Sequence, residues 1–221
     1  MCRFLMVKSA YPFRPEELLR AFASMAESSW APDGDRQQDG WGIAWADERG
    51  SWDVRTSLRP VWLDGHLFSG VPASRFFLVH ARSASFAGHK DNLAYNQPFT
   101  DGVHGFVFNG LLQGVAFPAP VPGEIGARKI WSLLKDELQE RPPAESMEAV
   151  GHLLTRHARR VQALNIGLCD RSHLYVLQQG EDESEYYRLW VNESADLKLV
   201  CSEPLVGFDF APLAAERIAV Y

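Results

Sequence analysis

The chain has 221 residues, 46% of them hydrophobic, which suffices for a sizeable core in one large domain or two small ones. Its 22 basic and 28 acidic residues leave a formal net charge of −6, so no basic surplus points to nucleic acid or to an anionic membrane. The three cysteines, Cys2, Cys169 and Cys201, are an odd, widely spaced set and make no disulfide framework.

Residues 2–8 read as a strand. A helix is expected over residues 15–28, with Pro15 in the first turn and Leu18, Leu19, Phe22 and Met25 on one face. Residues 32–39 read as loop. Residues 41–46 and 52–56 read as paired strands, and residues 76–81 as an apolar strand buried on both faces. A polar stretch, 83–100, leads to a strand at 104–108. Pro118, Pro120, Pro122 and Gly123 mark a loop. Helical stripes then predict helices over 124–139 and 144–161, the second carried by Met147, Val150, Leu154 and Val161. Strands are expected at 164–169, 173–178, 186–191 and 197–201. The acidic run of Glu181, Asp182, Glu183 and Glu185 reads as a solvated hairpin loop. Cys169 and Cys201 fall in apolar runs and read as small buried hydrophobes. Strands, then helices, then strands again suit a single α+β domain over 1–221, with stacked sheets and helices outside. No apolar run reaches the ~18 residues of a membrane span. The stretch after Arg3 is too short for a signal peptide, and Lys8 interrupts it, so a cytoplasmic location is expected.

Four segments could carry chemistry. The first is Cys2-Arg3-Phe4. Loss of Met1 would leave one residue holding both a thiol and a free α-amine, whose pKa of roughly 7.7–8.0 suits a base at neutral pH. The second is Asp39-Gly40-Trp41-Gly42, whose glycines allow positive φ or close backbone approach. The third is His80-Ala81-Arg82-Ser83, at the end of an apolar strand. Arg82 there can grip a carboxylate of a ligand, or pair with one of the protein's own. His80 reads as a hydrogen-bonded core histidine. The fourth is Phe108-Asn109-Gly110. Asn-Gly reads first as a hairpin turn; the alternative is an oxyanion hole built from the Asn109 amide and the Gly110 N–H. No metal-ligand spacing occurs among the seven histidines, and no phosphate-binding glycine loop or serine nucleophile elbow is present.

In their order after Cys2 these segments resemble the class II glutamine amidotransferase domain of the N-terminal-nucleophile hydrolase superfamily. The resemblance is strongest to its compact stand-alone branch, which includes the γ-glutamyl amidohydrolase of ergothioneine biosynthesis. Asn96-Gln97-Pro98-Phe99 resembles the family's Asn-x-His-Pro-Phe region. Asn165 with Asp170, and Ser202-Glu203-Pro204-Leu205, resemble later strands. The resemblance implies a four-layer αββα sandwich. It implies Cys2 as nucleophile, Asn109 and Gly110 as oxyanion hole, and Arg82, Ser83, Ser85 and Gln97 around the substrate. It implies no cofactor and no metal. The partners expected are a small-molecule amide, with a homo-oligomer or a separate synthase subunit left open and neither nucleic acid nor membrane involved. The sequence departs from the family where a Thr-Asp-Ser-Glu run usually opens a helix and its Asp holds the substrate ammonium. Here the stretch reads Glu124-Ile125-Gly126-Ala127-Arg128, with no Asp and with Arg128 poised to repel a cation. Gln97 replaces the usual His. Amide hydrolysis, of glutamine or a γ-glutamyl amide, remains the first expectation. The alternatives are a hydrolase of larger γ-glutamyl or acyl amides and a catalytically silent binding member.

Overall fold

The structure, a computed structural model, describes residues 1–84, 86–182, 184–214 and 218–221. Its first strand, Arg3–Phe13 (β1), is buried on both faces over its first half. Alternate side chains therefore serve two cores. Leu5 and Val7 pack with Leu18, Leu19 and Phe22 of the helix Glu16–Glu27 (α1). Phe4 and Met6 point the other way, into a second apolar layer. The helix starts one residue after the proline, and the Pro15 carbonyl takes its first main-chain bond, from Leu19 at 2.8 Å.

Trp41–Ala46 (β2) and Trp52–Ser57 (β3) form the expected antiparallel pair. Ser74–Ala81 (β4) lies between β1 and β2. Phe99–Thr100 (β5) and Gly105–Gln113 (β6) follow, then the helices Gly126–Glu137 (α2) and Pro143–His157 (α3). The last third holds Arg160–Cys169 (β7), Leu174–Gln179 (β8), Trp190–Glu193 (β9), Leu197–Cys201 (β10), Ala211–Pro212 (β11) and Ile218–Val220 (β12). These strands make a seven-stranded sheet, β11-β9-β10-β1-β4-β2-β3, and a five-stranded sheet, β12-β8-β7-β6-β5. Every recorded pairing is antiparallel.

Three apolar layers hold four structural layers together. The first lies between α1 and the large sheet. The second joins the sheets, with Phe4, Met6, Ala44 and Leu78 against Val107, Cys169, Leu174 and Val176. In the third, Phe106, Leu164, Ile166 and Leu168 of the small sheet meet Ile130, Trp131 and Leu134 of α2 and Met147, Val150 and Leu154 of α3. This is the αββα sandwich the sequence led us to expect. Cys169 and Cys201 are fully buried, as expected of small hydrophobes.

Three local expectations fail. The helix expected to reach 161 stops at His157, because Ala158 is already extended at φ −92° and ψ 141°. Val161, read as part of a helical stripe, instead sits on β7 opposite Leu112. The strand expected at 186–191 opens as a single 3-10 turn, Glu185–Tyr187, and pairing begins only at Trp190. The third failure concerns the Asn-Gly pair. It forms no turn: β6 runs straight through it, with Asn109 opposite Asn165 and Gly110 opposite Leu164. Gly110 is required by crowding, since a Cβ there would meet the Ala163 carbonyl oxygen at 2.5 Å and the Phe108 ring at 2.8 Å.

The layer between the sheets is equally tight at Gly167, where an added Cβ would run into the Met6 sulfur and Val107 Cγ2. Gly167→Ala overpacks a fully buried layer and should cost about 1–3 kcal/mol. A urea-melt midpoint that falls at unchanged slope checks this; an unmoved midpoint would mean that the sheets part freely.

Candidate active site

Cys2 stands just ahead of β1, at one end of the central layer, and two sets of contacts fix it there. The first works through its neighbour. Arg3 is fully buried, and its guanidinium meets the Glu203 carboxylate at 3.1 Å. It also donates to Ser29 Oγ and the Tyr186 carbonyl, each at 3.1 Å, and lies 4.1 Å from the Tyr186 ring centroid. Glu203 is further tied to Ser29 Oγ and the Trp30 N–H. Burial still pushes its carboxyl above the usual range, against the pull of Arg3. A buried pair of this kind is weak evidence for net stability, but breaking it strands a charge. It therefore holds the chain in one place.

The second set is a relay of amides. Asn165 Nδ2 donates to Asn109 Oδ1 at 2.9 Å and to the Tyr187 carbonyl at 2.9 Å. Asn109 is thereby forced to present its nitrogen, which donates to the Cys2 carbonyl and to Ser202 Oγ, each at 3.0 Å. Ser202 Oγ in turn accepts the Phe4 N–H at 3.0 Å. Asn109, Asn165 and Ser202 are all at most 2% exposed. Each amide nitrogen faces two acceptors, which fixes how both side chains point, while Asn165 Oδ1 is left without a partner among the described residues.

The thiol faces Ser83, whose N–H and carbonyl each stand 3.4 Å from Cys2 Sγ. Burial pushes the thiol above its ordinary range; the Ser83 N–H, the Met1 ammonium and Arg82 pull the other way and are outweighed. Met1 occupies the same corner. Its ammonium pairs with Asp35 Oδ2 at 2.9 Å and donates to the Tyr186 hydroxyl at 2.9 Å, while its carbonyl accepts from Gln37 Nε2 at 3.2 Å. Asp35 also accepts a short hydrogen bond from Ser83 Oγ. Burial raises the Asp35 carboxyl, but the Ser83 hydroxyl and the Met1 ammonium overcome it, and the net direction is downward.

Arg82 is 5% exposed and lines the cleft. Its fork meets loop carbonyls rather than a carboxylate: His89 O, Lys90 O at 3.5 Å and Asn92 O at 3.5 Å, together with Asn96 Oδ1 at 3.1 Å. Asp39 stays close enough to act on it through space, but spends its own oxygens on the Ala84 N–H and on Lys90. Gln97 is nearly buried, and its amide pairs with the Phe108 backbone in both directions, accepting at 2.6 Å and donating at 3.1 Å. Its nitrogen also stands 3.1 Å from His80 Nε2. Burial, then Arg82, push His80 down to about 3, so it is neutral at physiological pH. The Asp39-Gly40-Trp41-Gly42 segment exists to let this group close in. Gly40 has φ +110°, and side chains at Gly40 and Gly42 would strike Asn96 and Gln97 respectively.

The cleft encloses about 920 Å³. Cys2, Arg82, Ser83, Gln97, Asn109 and Gly110 all line it, so every expected site residue except one comes together. The exception, Ser85, lies outside the described residues. Arg128 does not face a ligand. It is not among the residues lining the cleft; its guanidinium lies 3.7 Å from the Phe99 ring centroid and donates to the Ala94 carbonyl. Glu124 does reach the cleft, where it accepts from the Tyr95 hydroxyl. Asp35, Gln37 and Tyr186 were missed, because one loop and one 3-10 turn distant in sequence supply them and neither carries a local motif. Among the described residues no cluster of His, Cys, Asp and Glu could hold a metal ion, and no helix is long and apolar enough to cross a membrane.

No family model and no curated protein matches the sequence. Solved structures do match. A glutamine aminotransferase class-II domain protein from Silicibacter pomeroyi superposes with a TM-score of 0.65 at 18% identity, over 99% of this chain and 94% of that one. This is a class II glutamine amidotransferase fold. A predicted glutamine amidotransferase from Pseudomonas aeruginosa aligns at TM-score 0.56 and 16% identity, over 100% of this chain and 97% of its own. The glutamine phosphoribosylpyrophosphate amidotransferase of B. subtilis aligns at 0.66 and 13%, over 100% of this chain but 49% of its own.

The geometry makes Cys2 reactivity depend on Met1. With Met1 attached, the nitrogen of Cys2 is an amide and the buried thiol has no base. Alkylation by iodoacetamide should then gain rate only above the ordinary thiol value of roughly 8.5, and removal of Met1 should move the midpoint down towards the α-amine value of roughly 7.7–8.0. Peptide-mapped alkylation rates against pH test this; equal midpoints would exclude the amine as base.

Proposed function

We propose that the protein, once freed of Met1, hydrolyses the side-chain amide of glutamine or a γ-glutamyl amide through a thioester on Cys2. One observation carries the reading: Cys2 is held at its sulfur by Ser83 and at its carbonyl by the Asn165–Asn109 relay, inside a cleft that Arg82 also lines. A pinned nucleophile beside an oriented amide donor is the minimum that acyl transfer needs.

The steps balance with this chain's own groups. The Cys2 thiol gives its proton to its own α-amine, and the sulfur bonds to the amide carbon. The oxyanion that forms takes hydrogen bonds from the Gly110 N–H and from Asn109 Nδ2, which turns one of its two hydrogens from the Cys2 carbonyl or Ser202 Oγ towards it. The C–N bond then breaks as the α-ammonium returns the proton to the leaving nitrogen, releasing ammonia or an amine. Water attacks the thioester with the amine again taking a proton, the C–S bond breaks, and the acid leaves while the thiol is restored. Arg82 grips the substrate carboxylate by exchanging the carbonyls of residues 89–92 for it, and Gln97 keeps the cleft wall in register.

A larger amide is the second reading, and the cleft favours it. Its volume lies at the upper end of the roughly 300–1,000 Å³ of small-molecule sites, and Phe86, Leu111, Val115, Phe117 and Ile125 give it an apolar wall. Release of ammonia from glutamine, set against release of amine from γ-glutamyl conjugates with bulky leaving groups, separates the two. A catalytically silent binder is tested by a diazo-ketone analogue of glutamine, which should label Cys2 stoichiometrically in Met1-free protein.

Cys2→Ala should abolish turnover and leave the thermal melt in place; persistent turnover would move the nucleophile elsewhere. Asn109→Ala should lower kcat by roughly 10²–10³ with a smaller change in KM, and Asn165→Ala should follow it part of the way by letting the amide rotate. A pure KM effect in both variants would reduce the relay to a structural tie.

A further inference from the structure

The corner that holds Met1 is built for a cation. The Met1 ammonium is mostly buried, and two partners face it, the Asp35 carboxylate and the Tyr186 hydroxyl. Asp35 is set in place by Ser83 Oγ, and Asp33 Oδ1 accepts its N–H at 3.1 Å. A second observation comes from Gln37. This side chain is completely buried, its Nε2 meets only the Met1 carbonyl, and its Oε1 has no partner among the described residues. Loss of Met1 therefore strips Asp35 and Tyr186 of their cation and leaves a whole buried amide unsatisfied, an arrangement that calls for a polar occupant.

The new terminus cannot simply slide into the gap. Cys2 is tethered at its sulfur by Ser83 and at its carbonyl by Asn109, so its nitrogen stays one residue short of the vacated position. Ser83 links sulfur and carboxylate: its main chain meets Cys2 Sγ at 3.4 Å and its Oγ donates to Asp35. Counted along covalent bonds from Sγ, the α-nitrogen of a glutamyl group joined there lies about as far out as the Met1 nitrogen.

Resting on the amidohydrolase reading above, we propose that Asp35 and Tyr186 form a subsite for a primary ammonium of the substrate, filled by the chain's own Met1 until that residue is removed, with Gln37 Nε2 then freed to donate to an acceptor beside it. The subsite supplies the counter-charge that is absent at the start of α2. It selects amides bearing a free amino group over their N-acylated forms. Of the other two acids lining the cleft, Glu124 is turned to Tyr95 and Asp33 accepts the Asp35 N–H, which leaves this role to Asp35.

The test uses full-length Met1-free protein, verified by intact mass, and a diazo-ketone analogue of glutamine with either a free or an acetylated α-amine. Wild-type Cys2 should be labelled at least roughly tenfold faster by the free-amine form, the scale of one charge-assisted hydrogen bond. Asp35→Asn should erase that gap, and Tyr186→Phe, which keeps the ring under Arg3, should narrow it. Iodoacetamide, which has no amine to recognise, should label wild type and both variants equally. No gap in wild type, or a gap that survives Asp35→Asn, overturns the subsite and leaves the amidohydrolase reading standing. Slower iodoacetamide labelling in Asp35→Asn overturns it too, because Asp35 would then be acting on the nucleophile. If neither analogue labels wild type while iodoacetamide does, the amidohydrolase reading falls and takes the subsite with it.

Discussion

A single buried ion pair governs how this molecule presents its first residues. Arg3 has no route to water, so its charge must be met where it lies, and Glu203, Ser29 and the Tyr186 carbonyl meet it. Because a lone buried charge is so costly, the terminal segment has one position rather than many. A chain end is ordinarily the most mobile part of a domain. Here it is the start of a central strand, with β4 on one side and β10 on the other. Rigidity at Cys2 follows from the strand behind it.

The same logic runs through the cleft wall. Each amide is oriented by another, from Asn165 to Asn109 to the Cys2 carbonyl, and separately from Gln97 to the Phe108 backbone and His80. Neither network contains a group that changes charge near neutral pH, since His80 is held neutral by burial and by Arg82. The amides that hold Cys2 and line the cleft therefore keep one arrangement across the physiological range.

Much of this was legible in the residues themselves. The apolar run of β1, the stripe of α1 and the paired strands β2 and β3 follow from hydrophobic spacing, whereas the four-layer order rests on the family resemblance that the short segments carry. Cys2, Arg82, Asn109 and Gly110 could be singled out because each belongs to a short segment with a distinctive composition. What failed is instructive. Asn-Gly promises a turn when judged by backbone freedom, yet Gly110 is there for lack of room beside Ala163 and Phe108. Val161 fits a helical stripe, but tertiary pairing with Leu112 claims it for a strand. Arg128 turns to the Phe99 ring and the Ala94 carbonyl instead of lining the cleft. Asp35 and Tyr186 gave no signal, being some 150 positions apart in sequence and joined only through the terminal ammonium.

The partly enclosed seat of Met1 also bears on how this protein can be handled. Residues placed ahead of it, such as a purification tag, would have to dislodge the ammonium from Asp35 and Tyr186 and then cross the cleft mouth. The other terminus offers a safer attachment point: Tyr221 pairs its backbone with Leu174 at the outer margin of the small sheet, where β12 is the edge strand. Fusions and surface tethers joined there would leave the cleft mouth clear.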